Sequence, residues 1–190
     1  MARPIDDGFP IVVRVADRPV LVVGGGTIAL RKAHGLAAAG ARLTVVSPEF
    51  VDGFAELANT TLVRRRYEST DVDGVFLVVA ATNDRAVQQQ IFDDGERRHV
   101  LVNAVDDPDR CSYILPAVER RGPVIVAVST QGRSPALAGQ LRDLLAAALP
   151  IDLDAIVAEV SRRRDEAHER GESTEDLDWR GLLGTSAPDD

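Results

Sequence analysis

The sequence predicts an α/β fold, a doubly wound parallel sheet, followed by a small α+β region and a helical C-terminal segment. Three observations predict it. A short apolar run, Val20 to Val23, stops at three glycines and continues into a segment with helical spacing. Short apolar runs then alternate with helical stretches as far as Val102. Near residue 112 that alternation gives way to shorter strand-like runs and a Ser-Pro helix start.

Each element follows from its residues. Phe9 to Val15 alternates as a strand does, and Ala16-Asp17-Arg18 turns it into Val20 to Val23. Thr27 to Ala39 reads as a helix closed by Gly40. Ala41 to Val46 is the second strand, Pro48 to Ala58 has helical composition, and Thr61 to Arg65 is a short edge strand. Val75 to Ala81 is an almost unbroken apolar run, as a strand covered on both faces requires. Asp84 to Arg97 is the next helix, with Thr82 or Asn83 as its cap, and Val100 to Val102 the next strand. Tyr113 to Leu115 and Val124 to Val128 read as strands around a turn-rich connection, Glu119 to Pro123. Ser134-Pro135 starts a helix that runs through Ala147 and stops before Pro150. Residues 151–170 form a charged amphipathic helix with Ile156, Val157 and Val160 on one side, and Trp179 to Leu183 a short helix. The expected divisions are 1–111, 112–150 and 151–190.

Composition narrows the function classes. No apolar run approaches membrane-spanning length, and Met1 to Asp7 lacks the charged and apolar regions of a signal peptide. A single cysteine, Cys111, makes no internal disulfide, so a reducing cytoplasm is the simplest setting. His34, His99 and His168 stand singly, with no metal-ligand spacing, so no metal site is expected. The net charge is −8, and −7 of it falls in residues 151–190. Nucleic acid is excluded as a partner on this balance, because it demands a net basic surface.

The glycine turn is the strongest chemical signal. Gly24, Gly26 and Ala29 fit the pattern G-x-G-x-x-(G/A), which permits a tight turn, backbone approach to a pyrophosphate, and close packing of helix on strand. The phosphates would lie over the free N–H groups at the start of the helix. The fold is therefore Rossmann-like, with its ligand crevice at the carboxyl ends of the strands. Those ends carry Gly24 to Gly26, Ser47-Pro48, Thr82-Asn83 and Asn103 to Asp107.

Beyond these motifs, the chain resembles the precorrin-2 dehydrogenases of sirohaem biosynthesis, including the N-terminal half of trifunctional sirohaem synthases. The resemblance rests on Phe9-Pro10, Val20 to Ala33 (VLVVGGGTIALRKA), Ala41 to Pro48 (ARLTVVSP), Ala80 to Asp84 (AATND), Val102 to Pro108 (VNAVDDP) and Pro123 to Pro135 (PVIVAVSTQGRSP), in order over residues 9–150. With 190 residues the chain is too short to hold the methyltransferase half as well. The resemblance implies an NAD-binding domain, a dimerisation region at 112–150 that makes the protein a homodimer, and a helical C-terminal piece at the tetrapyrrole site. It implies oxidation of precorrin-2 to sirohydrochlorin with NAD as hydride acceptor; some relatives also insert ferrous iron. A non-catalytic NAD sensor or scaffold would carry the same fold.

The same resemblance assigns the catalytic aspartate to Asp106, and adenosine and phosphate contacts to Thr27, Ile28, Pro48 and Glu49. Gly24, Gly25, Gly26 and Thr82 join the cofactor set through their places at strand ends. A carboxylate at Asp106 suits removal of a proton as hydride leaves the macrocycle; a loop aspartate before Pro108 also suits turn formation. Asp107 reads as the turn former. Two roles fit Asn103, holding its loop or touching the nicotinamide ribose. Arg110 and Arg133 would meet the substrate's carboxylates or stay solvated, and Ser129, Thr130 and Ser134 flank the same mouth. Many relatives carry glycine where this chain has Gln131. NAD is expected over NADP, modestly, because no arginine or lysine closely follows the second strand, Glu49 would repel a 2′-phosphate, and Ser47 replaces the usual acidic residue.

Overall fold

The computed structural model describes residues 8–174. Its contacts divide the chain into two compact units after Leu115.

The first unit is built on five parallel strands: β1 (Pro19–Val23), β2 (Arg42–Val46), β3 (Thr60–Val63), β4 (Leu77–Ala80) and β5 (Leu101–Ala104). Their spatial order is β3-β2-β1-β4-β5, so the chain reverses direction across the sheet between β1 and β4. Helices α1 (Thr27–Ala38) and α2 (Arg85–Arg98) follow β1 and β4. Alternation along each central strand feeds two cores. Val20, Val22, Leu77 and Val79 face the α1 side with Ala29, Ala33 and Phe54. Leu21, Val23, Val78 and Ala80 face the α2 side with Val72 and Ile91. Burial on both faces explains why these strands are continuous apolar runs rather than alternating ones.

Several sequence expectations are corrected here. Phe9 to Val15 is not a strand: Phe9, Ile11 and Val12 are exposed, and the sheet offers this segment no pairing partner. Pro48 to Ala58 is not a helix but a loop with one 3-10 turn, Phe54–Glu56, because Gly53 takes a positive φ of 101° and stops helical continuation. The cap of α2 is Asp84, not Thr82 or Asn83; its carboxylate accepts from the N–H groups of Ala86 and Val87. Tyr113 to Leu115 forms no strand.

α2 is fastened to the sheet periphery by a buried acid. Asp94 is fully buried and accepts from the Tyr67 hydroxyl at 2.8 Å, from Arg98 at 3.2 Å, and from Arg97. Burial pushes its pKa up, but hydrogen bonds from Tyr67, Ser69 and Arg97 outweigh that and hold it below the usual carboxylate range. Its stabilising contribution is therefore complete above the ordinary carboxylate pKa and is lost as pH falls below it.

The second unit contains an antiparallel hairpin, β6 (Ala117–Arg121) and β7 (Val124–Val128), with α3 (Pro135–Ala147) packed on it, then α4 (Leu153–Glu169). The expected connection Glu119 to Pro123 is mostly strand. Only Gly122 and Pro123 form the turn, and Gly122 takes the positive φ of 52° that a two-residue hairpin turn needs at its first position. Ser134 caps α3 by accepting from the Leu137 N–H, with Pro135 at the first helical position. The helix expected at Trp179 to Leu183 lies outside the described residues.

Asp94→Asn removes the charge and keeps the shape. It should lower unfolding stability by about 1.5–3 kcal/mol, the range for hydrogen bonds to a charged group. Chemical denaturation of the two proteins at neutral pH checks this, and the difference should shrink in acid.

Candidate functional site

Where the sheet reverses direction, a crevice of about 510 Å³ opens at the carboxyl ends of β1, β4 and β5. Gly24 to Ala29, Ser47, the loop from Ala81 to Arg85, Gln88 and Val105 to Asp107 line it.

The glycine loop has the geometry that its pattern demands. Gly24 sits at φ 130°, and a Cβ there would lie 2.2 Å from the Ala81 carbonyl oxygen. A Cβ on Gly25 would lie 1.8 Å from the Glu49 carbonyl oxygen. Both positions are closed to any side chain. Around Gly26, in contrast, there is open space, so its backbone is accessible from the crevice. The Val51 N–H donates to the Gly25 carbonyl at 2.8 Å, which straps the loop after β2 to the glycine turn.

The two helix starts differ. α2 satisfies its first N–H groups with the Asp84 carboxylate. α1 begins at Gly26 with no side-chain cap and no acidic residue in its first turn. Its N–H groups and positive dipole end are left for an anionic ligand. With no side chain projecting from Gly26, this cradle fits the pyrophosphate of a dinucleotide.

Asp106 stands across the crevice on the turn from Ala104 to Asp107, where the Asp107 N–H donates to the Ala104 carbonyl at 3.3 Å. Asp106 occupies the third turn position with a left-handed φ of 59°. Glycine and asparagine are favoured there, and aspartate tolerates it better than most residues. The Asp106 side chain is exposed and makes no hydrogen bond among the described residues. Asp107 differs: its carboxylate is buried and ion-paired with Arg110.

The other candidates divide. Thr27, Ile28 and Thr82 line the crevice with the three glycines; Pro48 and Glu49 are exposed just beyond it. Asn103 is buried, its amide donating to the Tyr113 carbonyl at 2.9 Å and facing the Cys111 sulfur at 3.5 Å, which fixes the chain after the Asp106 turn. The Arg110 guanidinium is held by Asp107 and by Gln89 Oε1 at 2.7 Å. Cys111 donates to the Ala104 and Asp107 carbonyls, and burial pushes its thiol pKa up. Ser129, Thr130, Arg133 and Ser134 belong to the second unit. There the Ser129 hydroxyl accepts from the Gln131 N–H, and the Thr130 hydroxyl bonds the Ser134 backbone at 2.9 and 3.0 Å. Gln131 sits at φ 55°, a left-handed conformation that favours glycine.

Two residues carry more of the site than their sequence context suggested. Gln88 is buried, and its amide donates to the Thr82 carbonyl at 2.8 Å and the Val105 carbonyl at 3.3 Å, joining the two loops that form one wall. Lys32, the only lysine, is half-buried on α1, one turn beyond Ile28. Burial lowers its pKa, the Arg31 charge adds to that, and the Asp106 carboxylate opposes it. Lys32 and Asp106 are therefore electrostatic neighbours. Polar residues within a helix read as solvated surface, and in sequence only the single lysine stands out.

Residues 11–117 match the model of a family described as putative NAD(P)-binding. The chain is 43% identical over 162 residues to siroheme synthase 2 of Aeromonas hydrophila, an alignment covering 85% of this chain and 34% of the relative. It is 44% identical over 147 residues to the siroheme synthase of Photobacterium profundum, covering 76% and 31%. It thus spans about a third of the length of these curated relatives. Among solved structures, one titled SirC, precorrin-2 dehydrogenase, superimposes with a TM-score of 0.73 at 28% identity, covering 93% of this chain and 88% of that one.

Gln88→Leu keeps the bulk and removes the bridge between the two loops. NAD affinity should fall about 3- to 10-fold, as expected for roughly one hydrogen bond's worth of alignment. Calorimetric titration with NAD checks this, with a thermal melt to show that the fold persists.

Proposed function

Since the chain belongs to the putative NAD(P)-binding family, with siroheme synthases and a precorrin-2 dehydrogenase among its relatives, we propose that it oxidises precorrin-2 to sirohydrochlorin with NAD as hydride acceptor. The observation that carries the reading is Asp106: a carboxylate with no hydrogen bond among the described residues, held on a left-handed turn at the rim of the glycine-loop crevice.

The oxidation removes two electrons and two hydrogens from the macrocycle. NAD, when bound, accepts the hydride; a base must take the proton. Asp106 takes that proton on its exposed carboxylate and passes it to solvent. Lys32, half-buried on α1, places its ammonium charge within electrostatic reach of that carboxylate. The backbone of Gly24 to Gly26 and the start of α1 hold the cofactor's phosphates, and Thr82 completes the adjoining wall. Asn103 and Asp107 hold the turn on which Asp106 rides. Arg110 and, in the second unit, Arg133 with Ser129, Thr130 and Ser134 contribute to binding the carboxylate-rich substrate. Pro48 and Glu49 border the adenosine half.

The functional protein is a homodimer in this reading. α3 leaves Leu137, Leu141, Leu144 and Leu145 exposed on one face, at the spacing of a helical stripe. A second copy of the chain covering that face accounts for it. Among the described residues no helix is long and apolar enough to cross a membrane; we assign the protein to the cytoplasm.

Asp106→Asn should slow precorrin-2 oxidation about 10²–10⁴-fold, the usual worth of a positioned base. Asparagine suits the left-handed turn, so fold and NAD affinity should persist. An anaerobic assay following NADH and sirohydrochlorin reads the rate, and repeating it with ferrous iron reads metal insertion separately. Asp107→Asn should act chiefly on stability, since it breaks a buried ion pair. Near-normal turnover by the Asp106 variant would rule out the base. Light scattering of the wild-type protein at micromolar concentration should give a dimer mass, and Leu144→Glu should shift it to monomer.

A further inference from the structure

The parallel sheet places a cation where the sequence seemed to offer none. Val46 at the end of β2 pairs in register with Val63 at the end of β3, and the Ser47 N–H donates to the Val63 carbonyl at 3.1 Å. Ser47 and Arg64 therefore emerge side by side, although 17 positions separate them in sequence. Strand spacing in a sheet is about 4.8 Å, well within the reach of a guanidinium.

Arg64 is oriented as well as near. Its guanidinium carbon lies 5.1 Å from the centroid of the Phe50 ring. Phe50 packs edge-on against Phe54, with centroids 5.2 Å apart, and Phe54 is buried in the core. The loop carrying Phe50 is strapped to the glycine turn through Val51 and Gly25. Arg64 thus lies over Phe50, in the loop that leaves Ser47 at the end of β2, the strand end where the adenosine ribose of a dinucleotide belongs in this fold. It forms no ion pair among the described residues, whereas its neighbour Arg65 is bound to Asp71 at 2.5 Å.

We propose that Ser47 and Arg64 form a seat for a phosphomonoester on the ribose 2′-oxygen, so that the crevice accepts NADP as well as NAD. The inference rests on the reading of this crevice as the NAD site and deepens it. An acidic residue at the end of β2 would bind a free 2′-hydroxyl and repel a phosphate; Ser47 donates a hydrogen bond to either. Arg64 supplies the opposite charge and a planar set of donors. Glu49 is the acidic group in the adjoining loop, and its side chain is exposed. Solvent screening weakens its repulsion.

Calorimetric titration of the intact protein with NAD and NADP, at low and high salt, tests the proposal. The wild type should bind NADP within about tenfold of NAD, and salt should weaken NADP more. Arg64→Gln should raise the NADP dissociation constant about 5- to 10-fold and leave that of NAD within about twofold, as loss of one partly exposed charge-assisted contact predicts. Arg66→Gln, which removes an equal charge from an exposed neighbour, should leave the NADP-to-NAD ratio unchanged. The proposal is overturned if wild-type NADP binding is more than about a hundredfold weaker than NAD. It is equally overturned if Arg64→Gln weakens both cofactors alike, or if Arg66→Gln matches its effect. If neither dinucleotide binds, the NAD site itself is misassigned and the subsite falls with it.

Discussion

Three loops meet at the crevice only because two Cβ atoms are missing. The ends of β1, β2 and β4 converge so closely that a methyl group on Gly24 would strike the Ala81 carbonyl, and one on Gly25 the Glu49 carbonyl. Neither neighbour is a flexible side-chain tip that could move away; both are backbone. The approach therefore fixes the direction in which the chain leaves β1. It then starts α1 over the sheet, where Ala29 and Ala33, both fully buried, let the helix lie close. The open backbone at Gly26 follows from the same turn.

Once that turn is set, the two helix starts take different roles. Asp84 uses its carboxylate to close α2, so the β4–α2 loop is a self-satisfied wall. α1 has no such residue, and its dipole end faces the space that the converging loops enclose. Gln88 then connects that wall to the loop after β5 through two carbonyls. One buried side chain in this way couples the cofactor side of the crevice to the turn carrying Asp106. A buried amide with both donor contacts made is worth more to geometry than to stability.

The features legible in the sequence were those set by local periodicity. β1 and β4 were readable because burial on both faces demands unbroken apolar runs, and α3 because Ser134-Pro135 is a strong start signal. The glycine turn was readable because its chemistry is local too. Phe9 to Val15 misled because alternation describes a strand only when a partner edge exists, and the sheet orders β3 and β5 at its edges without it. Pro48 to Ala58 misled because helical composition cannot overrule the left-handed backbone at Gly53 and the strap from Val51 to Gly25. The roles of Gln88, Lys32 and Arg64 were beyond reach for one shared reason. Each matters through a neighbour that only the sheet topology supplies: two loop carbonyls, the Asp106 carboxylate, and the end of β2.

The adjacent pair Asp106-Asp107 shows how one short segment separates structure from chemistry. Identical side chains on consecutive residues would share an environment in a mobile loop. Here the left-handed turn at Asp106 sends them to different ones. Asp107 is turned inward, where Arg110 neutralises it and its carbonyl accepts from Cys111. That cluster, with Asn103 reaching the Tyr113 carbonyl, holds the turn from behind. Asp106 is turned outward, its carboxylate accepting no hydrogen bond among the described residues, beside a half-buried ammonium group. A non-glycine residue in this conformation costs about 1–2 kcal/mol. The cost is offset by the satisfied groups behind it, so the strain falls where the Asp106 carboxylate meets the crevice.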